Sequence, residues 1–159
     1  MDIKRVWPHN LIINVQEISP SLYWSSENKI YWLNQDGIVI AANKPISNQI
    51  GLCLVVDKAN VPVGLGSRIV TNQFINFVAE AKKGIEQQTN LRVSEIDIRE
   101  STYELFFIVD KGYYIRFNTQ RDLKLQLDDL KVVLNKLASL TQKPAEYIDL
   151  RIEGRVFYK

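Results

Sequence analysis

The chain has 159 residues, 46% of them hydrophobic and 24% charged, with seven glycines and five prolines scattered along it. That composition describes one globular domain, or one domain with a small appendage, and excludes a low-complexity or disordered chain. Twenty basic and eighteen acidic residues are mixed along the sequence and leave a net charge of +2, which argues against nucleic acid as a partner, because duplex DNA needs clustered Lys and Arg.

Cys53 is the single cysteine. An internal disulfide or a four-thiolate metal site is therefore impossible, and the apolar run LCLVV makes Cys53 a small core residue. No apolar run approaches the ~18 residues of a membrane span, and no basic-then-apolar leader is present, so the segment reads as soluble. Lys82 and Lys83 lie between Glu80 and Glu86 and read as a solvated helix face.

The first third of the sequence predicts strands. Ile3 to Trp7 and Leu11 to Glu17 are β-rich and separated by the turn-like Pro8-His9-Asn10. Ser19-Pro20 breaks the run, and SLYWSS, KIYWLN and GIVIAA follow. The last two are joined by Gln35-Asp36-Gly37, a hairpin signal because Gly accepts a positive φ without steric cost. Leu52 to Val56 is a buried-strand candidate between loop-like stretches at 43–50 and 57–66. Ser67 is a candidate N-cap, after which Ile69, Val70, Phe74, Phe77, Val78, Ala81 and Ile85 predict an amphipathic helix near 68–88.

Further strands are predicted at Val93 to Ile98, Glu104 to Val109 and Tyr113 to Phe117, with Lys111-Gly112 turning between the last two. A second helix near 120–141 carries Leu123, Leu127, Leu130, Leu134, Leu137 and Thr141 at alternating spacings of four and three, with Asn118 or Thr119 as its cap. Tyr147 to Arg151 and Arg155 to Tyr158 form a closing hairpin around Ile152-Glu153-Gly154. Strands, helix, meander, helix, hairpin is not a regular βαβ alternation. It implies an α+β fold: a mixed, largely antiparallel sheet with two long helices on one face, preceded by a short β-hairpin.

No enzyme signature emerges. His9, the sole histidine, sits in a turn far in sequence from Cys53. Gly64-Leu65-Gly66 lacks both the third glycine of a dinucleotide loop and the Gly-Lys-Ser/Thr of a phosphate loop. Asp128 and Asp129 are adjacent on a helix, so their side chains diverge by ~100°. Asp97 and Glu100 match no acid/base motif. The chain reads as a protein-binding domain with no catalytic, metal or cofactor site. An uncovered terminal strand such as Arg155 to Tyr158 offers unpaired N–H and C=O groups to another chain.

Particular residues carry a resemblance to a family. Arg5, Trp7-Pro8, Leu11, Ile13, Val15, Glu17 and Pro20 resemble the junction of the POTRA and β domains in the bacterial cell-division proteins FtsQ and DivIB. The hairpin ending Asp36-Gly37-Ile38-Val39 is similar to the stretch that follows, and Tyr147 to Arg151 with Arg155 to Lys159 is similar to the family's closing hairpin. Ile18, Leu22 and Leu52-Cys53 depart from the usual Arg, small residue and Leu-Pro.

The resemblance implies that residues 1–17 are the last strands of a truncated POTRA domain and 18–159 the β domain. It also implies a single-span membrane anchor upstream and a place on the extracytoplasmic side of the membrane, at the division septum. The implied function is a non-catalytic scaffold that binds FtsL-like and FtsB- or DivIC-like coiled-coil proteins and helps regulate septal peptidoglycan synthesis. Their strand would add to Arg155, Val156, Phe157, Tyr158 and Lys159, with Tyr147 and Arg151 of the preceding strand as the secondary contact. The alternative is a POTRA-like interaction module of an outer-membrane transport system.

Overall fold

A computed structural model describes residues 19–46 and 52–159, together with the backbone of two strands before them. Those two, β1 (Asp2–Val6) and β2 (Asn10–Asn14), pair antiparallel as a two-stranded sheet of their own. The predicted hairpin is thus present, shorter than expected. Trp7, His9 and Val15 to Glu17 lie outside the described residues.

The remaining strands form one nine-stranded sheet. They are β3 (Leu22–Ser26), β4 (Lys29–Leu33), β5 (Val39–Ala42), β6 (Leu54–Asp57), β7 (Val93–Ile98), β8 (Glu104–Val109), β9 (Tyr114–Asn118), β10 (Tyr147–Ile152) and β11 (Arg155–Tyr158). Two helices, α1 (Asn72–Gln88) and α2 (Leu123–Ser139), complete the α+β fold. The sheet order is β11-β10-β9-β8-β7-β6-β3-β4-β5. Its β3–β6, β6–β7 and β9–β10 pairs are parallel and the other five antiparallel, so the sheet is mixed and mainly antiparallel.

The connectivity explains why both helices cover one face. Each helix is the crossover of a parallel neighbour pair, α1 from β6 to β7 and α2 from β9 to β10. β6 and β9 run in the same direction, and each crossover steps toward the β11 edge. Two crossovers of the same hand, stepping the same way, must lie on the same face. Phe74, Ile75, Phe77, Val78, Ala81 and Ile85 of α1 join Leu127, Leu130, Val133 and Leu137 of α2 in a single core with the inward residues of the sheet. Phe117 lies at its centre, edge-on to Phe107 at 5.2 Å and to Phe77 at 6.3 Å. At Gly84 an added Cβ would stand 2.4 Å from Leu127 Cδ1, so a glycine is what lets the helices approach so closely.

The helix starts differ from expectation. Thr71, not Ser67, caps α1, its side chain accepting from Phe74 N. Ser67 instead donates its hydroxyl to the Gly64 carbonyl at 2.6 Å, and Arg68 bridges to Ile38, which holds residues 67–70 against the sheet before the helix begins. Asp122, not Asn118 or Thr119, caps α2 by accepting from Leu125 N. The Asp36-Gly37 turn forms as predicted: Gly37 has φ +74°, and a Cβ there would lie 2.0 Å from the Val70 carbonyl oxygen.

Gln126 is fully buried and ties α2 to the end of β9. Its Oε1 accepts from Asn118 N and its Nε2 donates to Asn118 O, both at 2.9 Å. Gln126→Leu keeps the volume but strands the Asn118 N–H and leaves its carbonyl only Arg121 N, at 3.2 Å, and should cost on the order of 2 kcal/mol. Urea denaturation checks this, with the exposed Lys131→Gln as reference. A loss no greater than the reference would show that the amide contributes nothing.

Candidate functional site

β11 is the last strand at one edge of the sheet, so its outer side has no neighbour among the described residues. Which backbone groups face out follows from its last residue. Lys159 N donates to Tyr147 O at 3.1 Å and Tyr147 N donates to Lys159 O at 3.3 Å, so these two residues exchange both bonds. Antiparallel alternation then turns Phe157, opposite Asp149, inward, and turns the N–H and C=O of Val156 and Tyr158 outward. A one-residue irregularity in β10 between Asp149 and Ile152 precedes the Glu153-Gly154 turn.

The side chains divide by face. Val156 packs against the core on the helix side, and Tyr158, two residues on, shares that side. Arg155, Phe157 and Lys159 alternate onto the open face. Phe157 and Tyr158 are 47% and 42% exposed although both are large and apolar. The opposite edge of the sheet is treated otherwise: Val39 N of β5 donates to Ser67 O, and Gly66 N donates to Val39 O, both at 2.9 Å, so the 64–69 loop covers that edge in part.

Behind β11, the expected secondary contacts are engaged within the chain. Tyr147 stacks on Tyr114 with ring centroids 5.9 Å apart and planes at 24°. Arg151 grips Asp149 through Nε and Nη2, the latter at 2.8 Å, and also donates to Glu104. Arg116 reaches the same two carboxylates, Asp149 at 3.1 Å and Glu104 at 3.4 Å. Lys159 Nζ pairs with Glu146 at 2.7 Å. Local spacing carries no sign of the four-member cluster of Glu104, Arg116, Asp149 and Arg151, because Glu104 and Arg151 lie 47 residues apart in the chain.

Titration of the open face follows from these contacts. Burial pushes the Asp149 carboxyl up, but hydrogen bonds from the Arg151 side chain and backbone and the Arg116 charge outweigh it and hold the group below the usual carboxylate range. For Asp97, burial dominates and pushes the carboxyl up, opposed by Arg99 and Lys58 and reinforced by Glu95. Its Oδ1 has no hydrogen-bond partner. Asp97 is answered by the cations Arg99 and Lys58, at 3.8 Å and 3.9 Å. Cys53 is buried, which pushes its thiol up, away from the reactive thiolate.

The two aspartates make opposite contributions. Asp149 has a lower pKa folded than unfolded, so its stabilisation is complete above the unfolded value of about 3.9 and is lost as pH falls through the folded one. Asp97 has the higher pKa folded, so its ionisation as pH rises costs the folded state. At pH 7, Asp149→Asn should therefore lose on the order of 2 kcal/mol, a deficit that shrinks in acid, while Asp97→Asn should be neutral or stabilising. Chemical denaturation at several pH values tests both signs, and equal losses would refute the assignment.

No helix of the described residues is long and apolar enough to cross a membrane. No individually curated protein matches the chain. The family model for the C-terminal region of cell division protein FtsQ/DivIB matches residues 22–151, from the start of β3 into β10. By that match over most of its length, the chain belongs to the FtsQ/DivIB family of cell-division proteins.

Proposed function

We propose that this domain is a non-catalytic scaffold of the division machinery that binds FtsL-like and FtsB- or DivIC-like coiled-coil proteins by adding a partner strand to β11. The observation that carries the reading is the open outer edge of β11 beside the exposed Phe157 and Tyr158. Backbone pairing supplies affinity in such augmentation, and alternate side chains select the partner. The family match ends at Arg151, so the argument for β11 itself rests on geometry. Nothing favours the outer-membrane transport module.

In this reading, Val156, Tyr158 and the outward backbone groups meet the partner strand on the helix side, while Arg155, Phe157 and Lys159 meet it on the open face. Tyr147 and Arg151 act by holding β10 in place, since both are already engaged. The scaffold stands on the extracytoplasmic side of the membrane, at the septum, where it helps regulate septal peptidoglycan synthesis, and its anchor lies upstream. Residues 1–17 are the end of a preceding POTRA domain and 18–159 the β domain, a division supported by the separate pairing of β1 with β2. Amide exchange at Lys4 and Ile12 should accordingly be much faster than at Leu130. Equal protection would make the hairpin part of the main domain.

Proline substitution separates the two sides of β11. Val156→Pro removes an outward N–H and should leave the domain folded while weakening partner binding at least about tenfold, or ~1.4 kcal/mol. Phe157→Pro removes an inward donor and should instead destabilise the closing hairpin. Tyr158→Ala should cost roughly 1–3 kcal/mol of binding if the ring is a hot spot. Titration with the extracytoplasmic segment of the cognate FtsB- or DivIC-like protein measures these effects, after circular dichroism establishes folding. Unchanged binding by folded Val156→Pro and by a truncation before Arg155 would reject the edge.

A further inference from the structure

β11 is held to the sheet by little besides its backbone. Of residues 155–159 only Val156 is half-buried, and Arg155, Phe157, Tyr158 and Lys159 are exposed. Its paired positions are also few. Ile148 faces Tyr158 and Asp149 faces Phe157, and then, across the β10 irregularity, Ile152 faces Arg155 at the turn. A strand with so few apolar contacts belongs to the least stable part of a fold and opens locally.

The far end of β11 is fastened more firmly. The backbone oxygen of Lys159 accepts from three successive N–H groups, those of Ala145 and Glu146 at 2.7 Å and that of Tyr147 at 3.3 Å. Successive amides converging on one point form a concavity that favours an acceptor rich in negative charge. Lys159 N returns a bond to Tyr147 O at 3.1 Å, and Lys159 Nζ reaches Glu146 at 2.7 Å. The donors are themselves fixed. Tyr114 N of β9 donates to Glu146 O at 3.1 Å, and Pro144 before them is buried. Further back, Thr141 N donates to Ala138 O and Gln142 N to Leu137 O, which closes the end of α2. Thr141 has φ +56°, a conformation that β-branched residues rarely adopt, so the chain is strained where it turns from α2 toward these amides.

We propose that residues 145–147 act as a clasp on Lys159 that keeps β11 docked, and that the edge exists for a partner only while the clasp is closed. This rests on the reading that a partner strand adds to β11. Val156 and Tyr158 present their outward N–H and C=O groups only in the docked strand, and release of β11 leaves β10 as the edge instead. A ligand that binds one of two forms loses affinity in proportion to the fraction of molecules in the other. Opening the clasp therefore weakens the partner even where every outward group of β11 is intact.

Hydrogen exchange of the Phe157 N–H in the full chain reads docking with no partner present, because that N–H points inward. Ending the chain after Tyr158 removes the accepting oxygen, and Phe157 exchange should then approach the rate of an unfolded chain. Ala145→Pro removes one of the three donors and should speed the same exchange at least about tenfold. Leu130 exchange should stay as in the parent in both variants, which establishes that the domain is folded. The partner segment named above should bind the truncated chain at least about tenfold more weakly. Lys159→Gln keeps the backbone oxygen and loses only the ammonium, and should leave exchange and binding within about fivefold of the parent. Phe157 protection that survives the truncation would overturn the clasp. Lost protection with unchanged affinity would overturn its link to the edge, and a loss from Lys159→Gln as large as from the truncation would assign the effect to the ammonium instead. A parent chain that does not bind the partner would reject strand addition and the link with it, whereas the exchange measurement would still locate the clasp.

Discussion

β10 lies parallel to β9, and that pairing positions everything at the carboxyl-terminal end of the sheet. Antiparallel neighbours can be joined by two residues, whereas parallel ones need a crossover, and α2 is that crossover. Its start is fastened to both strands. Gln126 ties it to the end of β9, while Arg121, just before the helix, donates to the Leu150 carbonyl of β10 and lies 3.8 Å from Asp129 of the helix. With β9 on one side of β10, the only place left for the closing hairpin's second strand is the outer side. β11 becomes an edge by exclusion, not by any property of its own sequence.

The same topology leaves one sheet face without helices, and that face is managed with aromatics and charges. Arg99 lies over Phe106 at 4.1 Å and Tyr114 at 4.9 Å, and Arg116 over Phe106 at 5.2 Å. Such stacking lets a cation stay beside apolar rings at modest cost. The carboxylates are less evenly served. Asp149 has two guanidinium partners, whereas Asp97 has a distant pair and an unpartnered oxygen, so charge of one sign is both an asset and a liability on one face of the sheet. Removing one member of a buried pair costs more than the pair contributes, which makes the Asp149 cluster a brace for the β10 irregularity next to the edge.

Periodicity made much of this legible. The helix stripes at Phe74 to Ile85 and Leu123 to Leu137, the Asp36-Gly37 turn and the closing hairpin need only local spacing, and the structure contains all of them. The missed details depend on distant partners. Ser67 has the chemistry of a cap, but Arg68 is drawn into a bridge with Ile38, thirty positions earlier, and the helix waits for Thr71. The three parallel pairings are invisible to alternation, which reports faces and not neighbours. For Arg151, only the register of β8, β9 and β10 reveals its carboxylates. The use of the glycine at 84 depends on Leu127 of the other helix.

The two edges of the sheet show how exposure of a strand becomes selective. On β5 the outward groups of Val39 are taken by the 64–69 loop, so that edge is blunted by the chain itself. β11 has no such cover among the described residues, and an uncovered edge invites pairing with any strand, a second copy included. Its charges act against the second copy. Two β11 strands aligned antiparallel over residues 155–159 would set Arg155 of each against Lys159 of the other, and like charges directly opposite are destabilising. Glu146 answers Lys159 in part, but Arg155 has no ion pair among the described residues. A strand with carboxylates at those positions would remove the repulsion that self-pairing creates, so the same five residues that leave the edge open also disfavour closing it with themselves.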